Sequence, residues 1–583
     1  MDSVVEFFQS PQAIAHKQYE ALRAFYVEGK AAAEVAQQFG YTLSAFYSLT
    51  RDFKQRLKEP EPSQQFFVTV TRGRKPKDSN GQTEQLIITL RQKHLSVPDI
   101  KAILDSQNYD VSEGYIYKVI AQAGFERLTR RNKQTRDEAL AAVTLAAPQS
   151  QMLVYTPETF NTQLGAGVLC LLPYLQANGI AQLIEQSQYP ATHSLNRLSS
   201  ILSFVALKLS NMRRYSADDL WCMDRGLGLF AGLNVLPKAA WFSSYSHRVT
   251  RQMNLAFLKS LHGLWQEQQL LSDTANLDFV TIPYWGQAPH LENNWSSNRN
   301  QSLSSILAVL AQDPDTGIIT YGDTNIRHSH KGQVVLEFLD FYSSHGQDNL
   351  KYLVFDSQFT TYQNLKQLDE APNPIKFITI RKRGKQLLAD LNALPSAAWK
   401  RVRVSAADGK GRYLKVHEQI FPLKGYGKNI RQVAIAGQGK IKPALLITND
   451  FELSVEALIT KYARRWLVEQ EISEQIHFFH LNRVSSSMVI KVDFDLTISI
   501  LAHNLYRLLA NDLPGFTHST SVSLFDKFIC NSGRVQIDSD TVTVLLKKKR
   551  NLPALLTALE RFQNSPIPWM QNRKFQLMAD TTS

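Results

Sequence analysis

Two carboxylates in strand-like surroundings constrain this chain more than any other feature. Asp278 lies within the apolar run Leu277 to Pro283, and Asp356 closes another, Tyr352 to Phe355. A carboxylate inside or at the end of a buried strand costs desolvation energy unless it is paired, hydrogen-bonded or bound to a cation. A third acid, Glu469, ends the run Tyr462-Ala463-Arg464-Arg465-Trp466-Leu467-Val468-Glu469, inside a stretch from about Ser454 to Phe479 that reads as one helix. Arg465 then falls roughly 60° and Glu469 roughly 20° from Tyr462, on one stripe, with Glu471 on the opposite face. Charges on a helix are ordinarily just solvated. Two strand-borne acids beside a helical third point instead to a metal site.

The chain around these acids alternates strands and helices. Strands are expected at Leu277 to Pro283, Ser304 to Ala311, Ile318 to Tyr321, Tyr352 to Phe355 and Ile375 to Ile380, with helices from about Gly332 to Ser344 and Thr361 to Asp369. The order β-β-β-α-β-α-β is that of a ribonuclease-H-like core, in which the positions of Asp278 and Asp356 are neighbours. Asp356 and Glu469 are 113 positions apart, too far for a direct strand-to-helix step, and the strand-like pattern of 381–450 predicts a β-rich insertion. Its Lys382, Arg383, Lys385, Lys424, Lys428, Arg431, Lys440 and Lys442 suit a DNA-facing surface or a solvated sheet face.

At 583 residues the chain is too long for one core, so it reads as multidomain, α plus α/β. Residues 10–58 have helix-turn-helix spacing, with Ala36, Gly40, Phe46 and Leu49 holding two helices together and Ser44, Tyr47, Ser48 and Arg51 facing outward. A plain three-helix bundle fits the same pattern. A basic linker, 59–81, carries Arg72, Arg74 and Lys75 and leads to a second such unit at 82–136. There Ser112 caps a helix that leaves Glu113, Tyr115 and Lys118 outside, and Arg130 and Arg131 follow. Residues 137–165 read as a linker, 166–272 as a helical support or dimerisation region, and 511–583 as a C-terminal region poorly ordered beyond 560. The charge of +13 favours a polyanionic partner. Three scattered cysteines indicate neither a disulfide framework nor a zinc module. With no signal or membrane-spanning pattern, the expectation is a soluble cytoplasmic protein with no membrane partner.

Leu277-Asp278, the Asp356 strand end, Leu445-Leu446-Ile447-Thr448-Asn449 and above all Tyr462-x2-Arg465-x3-Glu469 resemble the DDE transposases of bacterial insertion sequences, specifically the IS4-like set, over about 273–510. The resemblance implies a ribonuclease-H-like catalytic domain with the β-rich insertion 381–450. It implies that Asp278, Asp356 and Glu469 hold two Mg²⁺ ions, for which Mn²⁺ can substitute. It further implies DNA cleavage at terminal inverted repeats and joining of the freed 3′-OH to target DNA, with Arg465, Tyr462 and Arg299 on DNA phosphate. Trp295 would stack on an unpaired base, or be an ordinary core or surface tryptophan. Double-stranded DNA would be the partner, the helix-turn-helix units would read the repeats, paired ends imply a homodimer, and DNA binding would associate the protein with the bacterial nucleoid. One position departs from the group: Ile476 stands where a lysine is usual, seven residues after Glu469. The competing reading is a catalytically inactive, transposase-derived DNA-binding protein.

Overall fold

The computed structural model describes residues 8, 11, 13–58, 82–92, 97–106, 109, 111–125, 155–212, 220–283, 291–296, 300–343, 349–359, 361–371, 373–405, 411–436, 443–481 and 489–581. It divides into two compact units, 1–81 and 82–583. Arg72, Arg74, Lys75, Arg130, Arg131 and Arg299 lie outside the described residues.

In the first unit, α1 (Ile14–Tyr26), α2 (Ala32–Gln38) and α3 (Leu43–Arg56) close over Ala21, Ala24, Val35, Ala36, Phe39 and Phe46. Gly40 makes the turn before α3 at φ +63, a conformation costly for side chains with a Cβ, and the Thr42 hydroxyl caps α3 by accepting from the Ala45 amide at 3.2 Å. Ser44, Tyr47 and Arg51 are exposed along α3.

The second unit begins with α4 (Gln82–Gln92), α5 (Val97–Ser106) and α6 (Glu113–Gln122), packed around Ile87, Leu90, Ile100, Leu104 and Ile116. Ser112 caps α6 and Lys118 is exposed. Tyr115, expected outside, is half-buried because α4 crosses α6 and Glu84 accepts its hydroxyl at 3.0 Å.

The next stretch, expected to be linker, contains β1 (Glu158–Thr162) and leads into α7 (Gly165–Leu169). Helices through α8 (Arg197–Leu209) and α9 (Arg251–Glu267) then build much of the main core. Among the described residues no single helix is long and apolar enough to cross a membrane; the bent pair Gly165–Ala177 and Ile180–Gln186 passes by composition, but its apolar residues belong to that core.

The central sheet starts with β2 (Thr274–Pro283), β3 (Asn293–Ser296), β4 (Gln301–Gln312) and β5 (Ile319–Ile326). After α10 (Val334–Tyr342) come β6 (Tyr352–Phe355), α11 (Tyr362–Glu370) and β7 (Lys376–Ile380). Five of these strands lie in the order β5-β4-β2-β6-β7, antiparallel on the β4 side and parallel from β2 to β7. The region 381–450 adds α12 (Lys385–Asn392), β8 (Lys400–Ser405), β9 (Gly411–Pro422), β10 (Asn429–Ala436) and β11 (Ala444–Thr448). β11 pairs with β7, so these strands prolong the same sheet in the order β7-β11-β10-β9-β8. Two of its basic residues are already committed: Arg431 is buried on Glu418 at 2.6 Å, and Lys428 holds Asp369 at 2.7 Å.

The stretch expected to be one helix from 454 to 479 is two, α13 (Val455–Ala463) and α14 (Trp466–His477), separated by a turn at Arg464 and Arg465. Tertiary contacts produce the break. The Arg464 side chain is drawn to Asp315 Oδ1 at 2.6 Å and the Pro314 carbonyl at 2.7 Å, and its own carbonyl accepts from Asn276 of β2 at 3.1 Å. Bonds from Arg465, Leu467 and Val468 amides to the carbonyl three residues back tighten the turn. Beyond it, α15 (Val489–Asp512) packs on β5, α8 and α9, and Asn504 bonds both the amide and the carbonyl of Ile319.

Residues 561–581 are ordered, contrary to the expectation for residues beyond 560. β12 (Gly533–Ile537), β13 (Thr541–Leu546), β14 (Pro566–Ile567) and β15 (Arg573–Ala579) join β1 in a second sheet, ordered β1-β12-β13-β15-β14. Phe575 and Leu577 enter the core while Lys574 and Met578 point out, the period-two pattern of a half-buried strand.

Candidate active site

Leu277 of β2 and Phe355 of β6 are partners in parallel register, and each is followed by an aspartate. Residues that alternate along a strand take opposite faces, so Asp278 leaves the core that buries Leu277 and shares the face of Asn276. That face is covered by the turn between α13 and α14, which brings Arg465 and, one helical turn later, Glu469 over the strand ends.

The charges interlock there. Asp278 accepts from the Phe279 amide at 2.8 Å through Oδ1 and from Arg465 Nη1 at 2.5 Å through Oδ2. Arg465 Nη2 donates to Glu469 Oε1 at 2.7 Å, and Asp356 Oδ1 accepts from the Ser357 amide at 2.6 Å. Burial pushes the Asp278 carboxyl up to about 6 against the pull of Arg465, and the charges of Glu469 and Asp356 push the same way as burial. Burial alone would lower the Arg465 guanidinium, but Asp278, Tyr462 and Glu469 raise it on balance. Tyr462 stays beside Arg465, whose guanidinium carbon is 5.5 Å from its ring centroid, so the Tyr-Arg-Glu stripe survives the helix break. Among the described residues the buried Tyr462 hydroxyl has no hydrogen-bond partner of good geometry; burial raises the phenol to about 12 while the Arg465 charge lowers it.

Asp278, Asp356, Arg465 and Glu469 line one cavity of about 900 Å³. Trp295, 60% exposed on β3, stands at its edge, whereas Tyr462 lies behind the lining. Ser44, Tyr47, Arg51, Tyr115 and Lys118 belong to the helical bundles and do not line it.

The donor set fits a hard divalent cation, since all three acids offer carboxylate oxygen. In this conformation Arg465 supplies the positive charge between Asp278 and Glu469, and among the described residues no three His, Cys, Asp or Glu side chains are gathered tightly enough to hold a metal. The neighbouring acids have other work. Glu471 and Glu474 are buried on the far side of α14 facing His503, and Glu474 accepts the Ser521 amide at 2.9 Å.

Several lining residues escaped the sequence reading. Lys331, His328 and Phe279 all border the cavity, beside Ile476, the position already marked as a departure. The run His328-Ser329-His330-Lys331 directly after a strand was the available signal. Phe279 and Phe359 stack at 3.9 Å with planes 4° apart, one beside each aspartate, and stiffen the floor of the site.

Residues 282–505 match the family model described as the transposase DDE domain. The chain carries a transposase DDE domain. The match begins four residues after Asp278 and spans Asp356 and Glu469. A cryo-EM structure of the piggyBac transposase synaptic complex with hairpin DNA is similar at 12% identity and a TM-score of 0.36, covering 64% of this chain and 82% of that chain. No curated protein matches the sequence.

Proposed function

We propose that this chain is the transposase of an insertion sequence of the IS4-like kind, which cuts DNA at its element's terminal inverted repeats and joins the 3′-OH ends to target DNA. The observation that carries this reading is the convergence of Asp278, Asp356 and Glu469 on one cavity within a strand order β5-β4-β2-β6-β7, which suits a ribonuclease-H-like core. The DDE-domain match supports the same reading.

Asp278, Asp356 and Glu469 would hold two Mg²⁺ ions, or Mn²⁺ in their place. When bound, such ions supply nucleophile activation and charge relief at the leaving oxygen. The protein's own groups do the rest. Asp278 and Asp356 are fixed on paired strands, so their spacing is set by the sheet, while Glu469 is half exposed on a helix and can adjust. Arg465, once released from the acids, can neutralise a phosphate, and Tyr462 behind it can donate a hydrogen bond. Arg299 would add to this grip. Trp295 is exposed at the cavity edge, where an unpaired base could stack on it.

The three-helix bundles at 10–58 and 82–136 would read the repeats as helix-turn-helix units, through Ser44, Tyr47, Arg51, Tyr115 and Lys118. The basic positions Arg72, Arg74, Lys75, Arg130 and Arg131 would follow the phosphate backbone. Paired ends require a homodimer, acting in the cytoplasm on the nucleoid.

The test uses a supercoiled plasmid carrying the element's two termini, incubated with protein and Mg²⁺. Cleavage at the terminal nucleotides with joined products supports the reading, and sequence-specific binding with no cutting in Mg²⁺ or Mn²⁺ supports the inactive, DNA-binding alternative.

A further inference from the structure

The cavity needs a cation for the DNA phosphate that its acids would otherwise repel, and Arg465 is not free to be the first one. Both of its terminal nitrogens lie on carboxylates. At the position seven residues after Glu469, Ile476 is an apolar part of the wall, 6% exposed. Lys331 borders the same cavity from a different element. Among the described residues it has no carboxylate within ion-pair distance, and its Nζ lies 5.7 Å from the centroid of the Phe279 ring, next in sequence to Asp278.

The backbone beneath Lys331 is clamped. The Gly332 carbonyl accepts from Asn364 Nδ2, and a Cβ on Gly332 would come 3.0 Å from Thr361 Cγ2. Both partners sit at the start of α11, a few residues after Asp356, so the clamp ties Lys331 to the loop that carries the second aspartate. Burial lowers its pKa, partly countered by the Glu292 charge. A partly desolvated ammonium with no carboxylate partner, held on a fixed backbone beside a cluster of acids, is poised for an anion.

We propose that Lys331 grips the DNA phosphate next to the scissile bond, supplying from the turn before α10 the positive charge that Ile476 does not supply from α14. This rests on the reading of the cavity as a DNA-cleaving site.

The experiment measures binding of the full chain to a fluorescent duplex of the element terminus, in EDTA, across a salt series. Losing one phosphate contact makes the plot of log K against log salt shallower by about 0.9. Lys331→Met is expected to show that change and at least a several-fold loss of affinity at low salt, with an unchanged melting temperature. Introducing Ile476→Lys into the same variant is expected to restore the slope. Should Lys331→Met melt early, Lys331→Gln replaces it. An unchanged slope and affinity in a folded Lys331 variant overturns the proposal. A wild type that binds the duplex but never cuts it when Mg²⁺ or Mn²⁺ replaces the EDTA overturns the cleavage reading instead, and the slope comparison still decides the role of Lys331.

Discussion

Leu277 and Phe355 face each other in parallel register, and the residue after each is a carboxylate. One backbone pairing therefore sets the separation of Asp278 and Asp356, independent of any loop. The third acid arrives on a separate helix, through a turn locked by Arg464 on Asp315. Two acids are rigid, one is adjustable, and Arg465 neutralises one of each.

That arrangement makes Arg465 a competitor for cations in the DNA-free chain. Replacing Arg465 with Met exposes Asp278 and Glu469 to each other's charge, and a divalent ion then relieves the repulsion. Mn²⁺ affinity without DNA, read by electron paramagnetic resonance, is expected to rise at least about tenfold, or about 1.4 kcal/mol. Unchanged affinity would mean that the guanidinium does not occupy the cation's place.

A second buried acid gives a pH signature away from the cavity. Asp493 is pushed up to about 6 by burial and the nearby Asp323 charge, against bonds from Asn254 and Thr324 and the charge of Arg251. The folded chain therefore binds this proton more tightly than the unfolded chain, whose carboxyl titrates near 4. Stability from this group is present below about pH 4 and is lost as pH rises through about 6. The loss amounts to about 3 kcal/mol. Asp493→Asn does not titrate, so relative to wild type its melting temperature should rise from pH 4 to about pH 6 and level off toward pH 7. A constant difference across that range would count against the raised carboxyl.

The C-terminal strands are structural. β15 lies between β13 and β14, and Arg573 ties it to the Asp538 and Tyr155 carbonyls. Truncation after Phe562 strips a side from β13 and opens the core at Leu546 and Val544. The melting temperature is expected to fall by roughly 10 °C or more. A truncated chain that melts like the full one would show that this sheet does not support the rest.

How much of this was legible in the sequence differs by element. The strands bearing Asp278 and Asp356 announced themselves because an acid ending an apolar run is costly, and their adjacency followed from the alternation of strands and helices. The break at Arg464 was hidden, because nothing local disfavours helix there; Asn276 and Asp315, more than 140 residues earlier, impose it. β1 was hidden for the same reason, since its partner β12 lies at the other end of the chain, Glu158 opposite Ile537. Tyr115 was placed outside because a helical wheel does not see α4 crossing it. Lys331 ends the run His328-Ser329-His330-Lys331, but only the folded cavity wall brings it beside Phe279.

The measurement that tests the central claim most directly is Mg²⁺-dependent cleavage of the element termini by the wild type, Asp278→Asn, Asp356→Asn and Glu469→Gln. The expected result is end cleavage by the wild type and a loss of at least about 1,000-fold, roughly 4 kcal/mol, in each variant, with DNA binding kept in all four. Cleavage that survives Glu469→Gln would contradict the three-acid site.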